Sequence, residues 1–187
     1  MIYFLLCATI GYFIGCINPA YLIGKKHKID IRIVRALFPF FLQALPITGT
    51  AVILGHIFPF YMNFRGGKGF ACLAGNILAF DIQAFLFVFI IAIIVLAVGN
   101  YLCLMPITAS ILFPIVYLII SKDILGTIII SIVPVCISLK HKENLLRIKN
   151  GTELHFSYLW KPEEEMKRIQ TNGEVDDETV KERFLLH

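Results

Sequence analysis

Apolar residues in this chain run in long blocks instead of alternating with polar ones. Met1 to Gly24 holds no Asp, Glu, Lys or Arg, and neither does Ala36 to Phe64. Phe70 to Ser121 holds only Asp81, and Ile124 to Leu139 is again free of charge. A run of about 18 or more such residues is long enough to cross a bilayer as a helix. Lipid offers backbone groups no hydrogen-bond partner, so a helix satisfies them internally. The pattern predicts an all-α fold, a polytopic integral membrane bundle of about five to seven membrane helices counting a re-entrant hairpin.

Four elements are predicted after Phe70, over 70–80, 84–100, 102–120 and 124–139, with breaks at Asp81, near Asn100 and at Lys122-Asp123. The first is short for a span and reads as tilted or half-buried. The 29 residues between Arg35 and Arg65 are harder to place. As helix they run about 44 Å at about 1.5 Å per residue, too little for two crossings of a core about 30 Å thick. They form either one span or a re-entrant hairpin. The hairpin is preferred, with Pro46 and Gly49 able to break it near the middle.

The preference comes from charge. Three basic clusters punctuate the chain: Lys25 to Arg35, Arg65 with Lys68, and Lys140 to Lys149. Basic residues flanking spans gather on the cytoplasmic side, so an even number of crossings is expected between neighbouring clusters. The run Lys25-Lys26-His27-Lys28 follows the first apolar block, whereas a signal peptide carries its basic segment first. That block reads as a retained helix with its N-terminus outside. The chain divides into a membrane domain, 1–155, and a charged cytoplasmic tail, 156–187, which is mobile or partly helical. The tail segment Pro162-Glu163-Glu164-Glu165 suits a helix start.

Composition agrees. The chain is 58% hydrophobic and 16% charged, against about half and about a quarter in soluble domains. Net charge is +4, with five basic and eight acidic side chains in 156–187 and a net +7 elsewhere. The basic excess suits membrane lipid headgroups. No basic face interleaved with aromatics points to nucleic acid. Cys7, Cys16, Cys72, Cys103 and Cys136 form no CxxC pair, so neither a metal site nor a disulfide framework is expected. They read as small hydrophobes.

Two polar stretches could carry chemistry. Gly55-His56-Ile57-Phe58-Pro59 is followed by Phe64-Arg65-Gly66-Gly67-Lys68-Gly69. Three glycines around a lysine allow close backbone approach to an anion, with several amides aimed at one spot. A helix beginning near Phe70 would add its positive end. Met62 and Phe70 rule out a Walker A loop. The plainer reading is a flexible loop with a topogenic charge. The second stretch is Lys140-His141-Lys142-Glu143-Asn144, then Arg147 and Gly151-Thr152-Glu153. Its plainer reading is a juxtamembrane anchor on lipid headgroups.

Together these stretches, with Gly15-Cys16-Ile17-Asn18-Pro19-Ala20-Tyr21-Leu22-Ile23-Gly24, resemble the bacterial acyl-phosphate:glycerol-3-phosphate acyltransferases. Gly55 to Gly69 is similar to the family's "GH-x-FP … GGKG" motif, and Lys140 to Glu153 to its "RH-x-EN … GTE" ending. The resemblance covers about residues 1–155, with a gap. It implies a multi-pass protein of the bacterial cell membrane that moves a fatty acyl group from acyl phosphate to glycerol 3-phosphate, making lysophosphatidic acid for phospholipids. It implies catalytic roles for Lys68 and His141, and substrate binding by His56, Gly66, Gly67, Gly69 and Asn144. Acyl phosphate and glycerol 3-phosphate would be the partners, with no cofactor and no metal. Two departures stand out. Asp30 to Leu45 is mostly apolar where the family has a Gly/Ser/Asn/Thr-rich segment. Cys103-Leu104-Met105-Pro106 stands where it has an "SLxS" serine pair. They keep open a non-catalytic relative that binds acyl phosphate or a membrane partner. A small transporter is supported by polytopy alone.

Overall fold

A computed structural model describes residues 2–16 and 43–173 of the chain. The predicted basic cluster Lys25 to Arg35 lies outside the described residues, as do 17–42 and 174–187. Among the described residues there is helix and no strand. The helices are α1 (Ile2–Cys16), α2 (Ala44–Ile57), α3 (Phe70–Phe80), α4 (Ile82–Gly99) and α5 (Leu104–Ser121). Then come α6 (Ile124–Ile130), α7 (Ile132–Lys140), α8 (Lys142–Lys149) and α9 (Pro162–Gly173). Short 3-10 turns occupy Phe60–Met62 and Phe156–Leu159.

The predicted breaks are real, and each has a local cause. Asp81 caps α4 by accepting a hydrogen bond from the Ala84 N–H at 2.7 Å, the usual service of an N-cap carboxylate. Asn100 and Lys122 end α4 and α5 in the left-handed conformation, with φ of 58° and 54°. Asp123 caps α6 through the Gly126 N–H at 3.0 Å and also takes the Tyr117 hydroxyl at 3.0 Å. The break near Pro46 and Gly49 is not there. Ala44 to Ile57 is one continuous helix. Pro46 falls in its first turn, where the missing N–H would have lacked a partner anyway. Gly49 is there for closeness: a Cβ at that position would sit 2.2 Å from the Asn76 amide. The remainder of the predicted hairpin, 36–42, lies outside the described residues.

Ala44–Met62, Ile82–Gly99 and Leu104–Ser121 are long and apolar enough to cross a membrane. Ile124–Lys140 with Lys142–Lys149 makes a fourth if the pair, bent by 53°, is one span. α1 packs along α2, with Gly11 against the Thr48 carbonyl and the Tyr12 hydroxyl donating to the Phe58 carbonyl at 2.9 Å. Ile53, Ile57, Leu73, Ile77, Val88, Phe113, Val133 and Ile137 fill the core between α2, α3, α4, α5 and α7. Outward, α4 exposes Leu86, Ile90, Ile94 and Val98, and α5 exposes Ile111, Ile115 and Ile119. These recur every fourth residue, so each helix turns one apolar stripe away from the core. Patches of this extent are rare on soluble monomers and match a lipid-facing surface. The fold is that of an integral membrane helical bundle.

Candidate functional site

The two polar stretches meet at one end of the bundle. The C-terminus of α2, the loop to α3, the α7–α8 junction and the turn after α8 all converge there. Asn63 and Phe64 both adopt left-handed backbone, with φ of 50° and 60°. Such a conformation is an outlier for a bulky residue. It persists because the Phe64 N–H is held by the Pro59 carbonyl at 3.1 Å and the Arg65 N–H by that of Met62 at 3.0 Å. The chain then doubles back onto the end of α2.

That return sets what the loop glycines touch. The amides of Gly66 and Gly67 are spent on the carbonyls of Ile57 and His56, at 3.1 and 3.2 Å. They do not join a ring of amides aimed at a ligand. A Cβ at Gly66 would stand 2.1 Å from the His56 carbonyl oxygen, and one at Gly67 would stand 2.3 Å from His56 Nε2. Both glycines therefore let the loop lie against α2. Gly69, with φ of 81°, is the N-cap of α3, and no side chain caps that helix. Its carbonyl takes the Leu73 N–H at 2.9 Å. The positive end of α3 thus opens beside Lys68. His56 turns its ring toward Gly67, and its Nδ1 is buried without a hydrogen-bond partner among the described residues.

Lys68 joins the motifs. Its Nζ donates to Asn144 Oδ1 at 3.1 Å, across 76 residues of sequence. Asn144 Nδ2 in turn donates to Glu153 Oε1 at 2.6 Å. Only this orientation of the amide serves both neighbours, since a lysine can only donate and a carboxylate only accept. The other Glu153 oxygen lies 3.7 Å from Arg147 Nε, and Arg147 also reaches Glu143 at 3.5 Å. Lys140 sits over the Phe58 ring, 5.0 Å from its centroid. His141, 3% exposed, closes the α7–α8 bend. Its Nδ1 lies 2.9 Å from the Ile137 carbonyl. A carbonyl can only accept, so Nδ1 carries the proton and Nε2 keeps the lone pair. Lys68 and Glu153 both lie within electrostatic reach of the ring.

Of the residues singled out from sequence, Lys68, His141 and Asn144 come together. His56, Gly66, Gly67 and Gly69 form the loop seat beneath Lys68. Glu153 carried a signal in the Gly151-Thr152-Glu153 match, yet its part in holding Asn144 was not legible. Cys103 was noted only as a departure. It is buried at the start of α5, within electrostatic reach of Lys68, Arg147 and Glu153. Among the described residues no group of His, Cys, Asp and Glu is arranged to hold a metal ion.

The arrangement has known relatives. The family model described as Glycerol-3-phosphate acyltransferase matches residues 32–151. A glycerol-3-phosphate acyltransferase of Streptococcus gordonii is 35% identical over 129 residues, which cover 63% of this chain and 60% of that protein. One from Enterococcus faecalis is 29% identical over 164 residues, covering 77% and 76%. The chain spans about 60% of the length of the first curated relatives it matches. A crystal structure of PlsY (YgiH), an integral membrane glycerol 3-phosphate acyltransferase in its glycerol 3-phosphate form, superposes with a TM-score of 0.69. It is 23% identical, with 83% of this chain and 96% of that one covered, and it establishes a shared fold. Since the family model takes in well over half of the 187 residues, including Gly55 to Gly69 and Lys140 to Gly151, the chain belongs to the glycerol-3-phosphate acyltransferase family.

Proposed function

We propose that this protein transfers a fatty acyl group from acyl phosphate to glycerol 3-phosphate at the membrane surface. The observation that carries the reading is the Lys68–Asn144 hydrogen bond. It brings the two motifs of the family to one place, at the polar end of an apolar bundle. Both substrates are phosphates, and one brings a hydrocarbon chain that lipid-facing helices can accommodate. Lys68 and the open N-terminus of α3 offer positive charge to the acyl phosphate group. Asn144 and His141 orient glycerol 3-phosphate, and Glu153 fixes Asn144.

The chemistry is an addition and an elimination. The 1-hydroxyl oxygen of glycerol 3-phosphate attacks the acyl carbonyl carbon, and the bond from that carbon to the phosphate oxygen breaks. The hydroxyl proton ends on the departing phosphate, either directly or through the free Nε2 of His141. No oxidant or nucleotide is needed, because the acyl phosphate is already activated. Lys68 stabilises the charge that grows on the leaving phosphate. Positioning supplies much of the remaining acceleration. Lys68, Lys140 and the tail face the cytoplasm in this reading.

The test is phosphate release from palmitoyl phosphate by purified protein, with and without glycerol 3-phosphate. Release that requires glycerol 3-phosphate and yields lysophosphatidic acid is the expected result. Binding of palmitoyl phosphate without any transfer would overturn it in favour of the non-catalytic relative. That second reading is favoured by one observation: Cys103, buried at the edge of the site, stands where the family resemblance implies a serine.

A further inference from the structure

The helix α9 lies beyond the 32–151 stretch shared with the family model, and its inner face is not that of a solvated tail. Glu165 is 5% exposed, a depth at which a carboxylate needs several partners. It has them. Oε1 accepts the His155 backbone N–H at 2.9 Å and the Arg168 Nε at 3.0 Å, and Oε2 lies 3.1 Å from His155 Nδ1. His155 Nε2 lies 3.1 Å from the Tyr101 hydroxyl. Arg168 then reaches past Glu165. Its Nη1 donates to the Gly151 carbonyl at 2.7 Å and its Nη2 to the Glu153 carbonyl at 2.5 Å. A planar guanidinium spanning two carbonyls of one turn fixes that turn in a way a point charge does not. The turn so fixed is the one that presents Glu153 to Asn144. Glu163 and Glu164, on the other side of α9, face solvent.

We propose that α9 is a clasp on the acceptor side of the site, and that Arg168 and Glu165 are positioning residues. They set the 151–155 turn, and through Glu153 they set Asn144. The inference rests on the reading of Asn144 and His141 as the glycerol 3-phosphate side. It adds to the family's motifs a requirement from a segment that the motifs do not include. Acyl phosphate, held by Lys68 and the start of α3, feels the clasp less than glycerol 3-phosphate does.

The test compares full-length Arg168→Gln and Glu165→Gln with the control Glu164→Gln in lipid nanodiscs. Glu164 is an exposed carboxylate of the same helix, paired with Lys161. Arg168→Gln and Glu165→Gln should each raise the KM for glycerol 3-phosphate about tenfold, the effect of about one lost hydrogen bond to a charged group. The KM for palmitoyl phosphate should hold within about twofold, an energetic change well inside that of one bond. KM values for glycerol 3-phosphate equal to that of Glu164→Gln would overturn the clasp. Where the wild type neither binds nor turns over glycerol 3-phosphate, the acyltransferase reading falls, and hydrogen exchange in α8 decides the clasp alone. Faster exchange over 142–149 in Arg168→Gln than in Glu164→Gln upholds it, and equal exchange overturns it. If Arg168→Gln does not fold, Glu165→Gln carries the comparison.

Discussion

Single atoms decide much at this site. Lys68 is exposed and holds Asn144 from the rim, so its loss removes a charge without opening the core. Lys68→Met should leave the melting temperature in detergent nearly unchanged, a stability effect within about 0.5 kcal/mol. Turnover should fall about a hundredfold, the scale of one lost donor at a developing negative charge. An initial-rate assay beside a melting curve separates the two effects. Gly66 poses the opposite case. A methyl at that position meets the His56 carbonyl at 2.1 Å, which is backbone and cannot swing away. Gly66→Ala should destabilise by about 1–3 kcal/mol. Gly75→Ala, with nothing within 4 Å of its Cβ, should stabilise α3 by about 0.5–1 kcal/mol. Equal melting temperatures for these two variants would mean that the loop does not lie against α2 as described.

Among the elements, α9 responds most directly to pH. Burial pushes the Glu165 carboxyl up, but hydrogen bonds from Arg168 and the His155 N–H and the charges of Arg168 and His155 outweigh it, so its pKa lies below the ordinary glutamate value. A depressed folded pKa means that the carboxylate contributes stability above the unfolded pKa and loses it as pH falls through the folded one. The window therefore lies below about 4.3. Trp160, the single tryptophan, stands between the turn and α9, edge-on to Phe156 at 5.3 Å. Its emission should be flat from neutral pH down to that window and shift within it, and Glu165→Gln should abolish the acid step. A step that survives in Glu165→Gln would place the transition elsewhere. α4 and α5, by contrast, end in left-handed turns at Asn100 and Lys122.

At the scale of the molecule, the claim at stake is sidedness. Lys68 and Asn144 are in contact, so positions 68 and 142 belong to one face of the membrane whatever the full count of spans. Cysteines placed at 68 and 142 in a cysteine-free background should both resist an impermeant reagent in intact cells and both react in inverted vesicles. Reaction of either one from outside would refute a cytoplasmic site. The apolar stripes of α4 and α5 point to lipid around the bundle. Loss of activity in a detergent that strips lipid, regained in nanodiscs, fits a donor that enters from the bilayer.

The hydrophobic pattern by itself determined an all-helical membrane fold, because bilayer thickness converts a charge-free run into a helix of set length. It also determined the ends of α3, α4 and α5 and the start of α6, because Asp81, Asn100, Lys122 and Asp123 act on backbone groups within a few residues, whereas the end of α6 at Ile130, inside the expected 124–139 element, was not anticipated. Pro46 misled for the same local reason: a proline breaks a helix interior but starts a first turn, and only the position of Ala44 as the helix start distinguishes the two. The family resemblance pointed to Lys68, His141 and Asn144 as candidates, without showing that Lys68 touches Asn144. That contact spans 76 residues and exists because α2, α3 and α7 pack around one core. The use of the Gly66 and Gly67 amides, the burial of Glu165 and the reach of Arg168 were likewise settled by tertiary structure. Hydrophobic burial is non-directional, so a pattern of apolar residues states that helices will pack without stating which polar side chains the packing brings face to face.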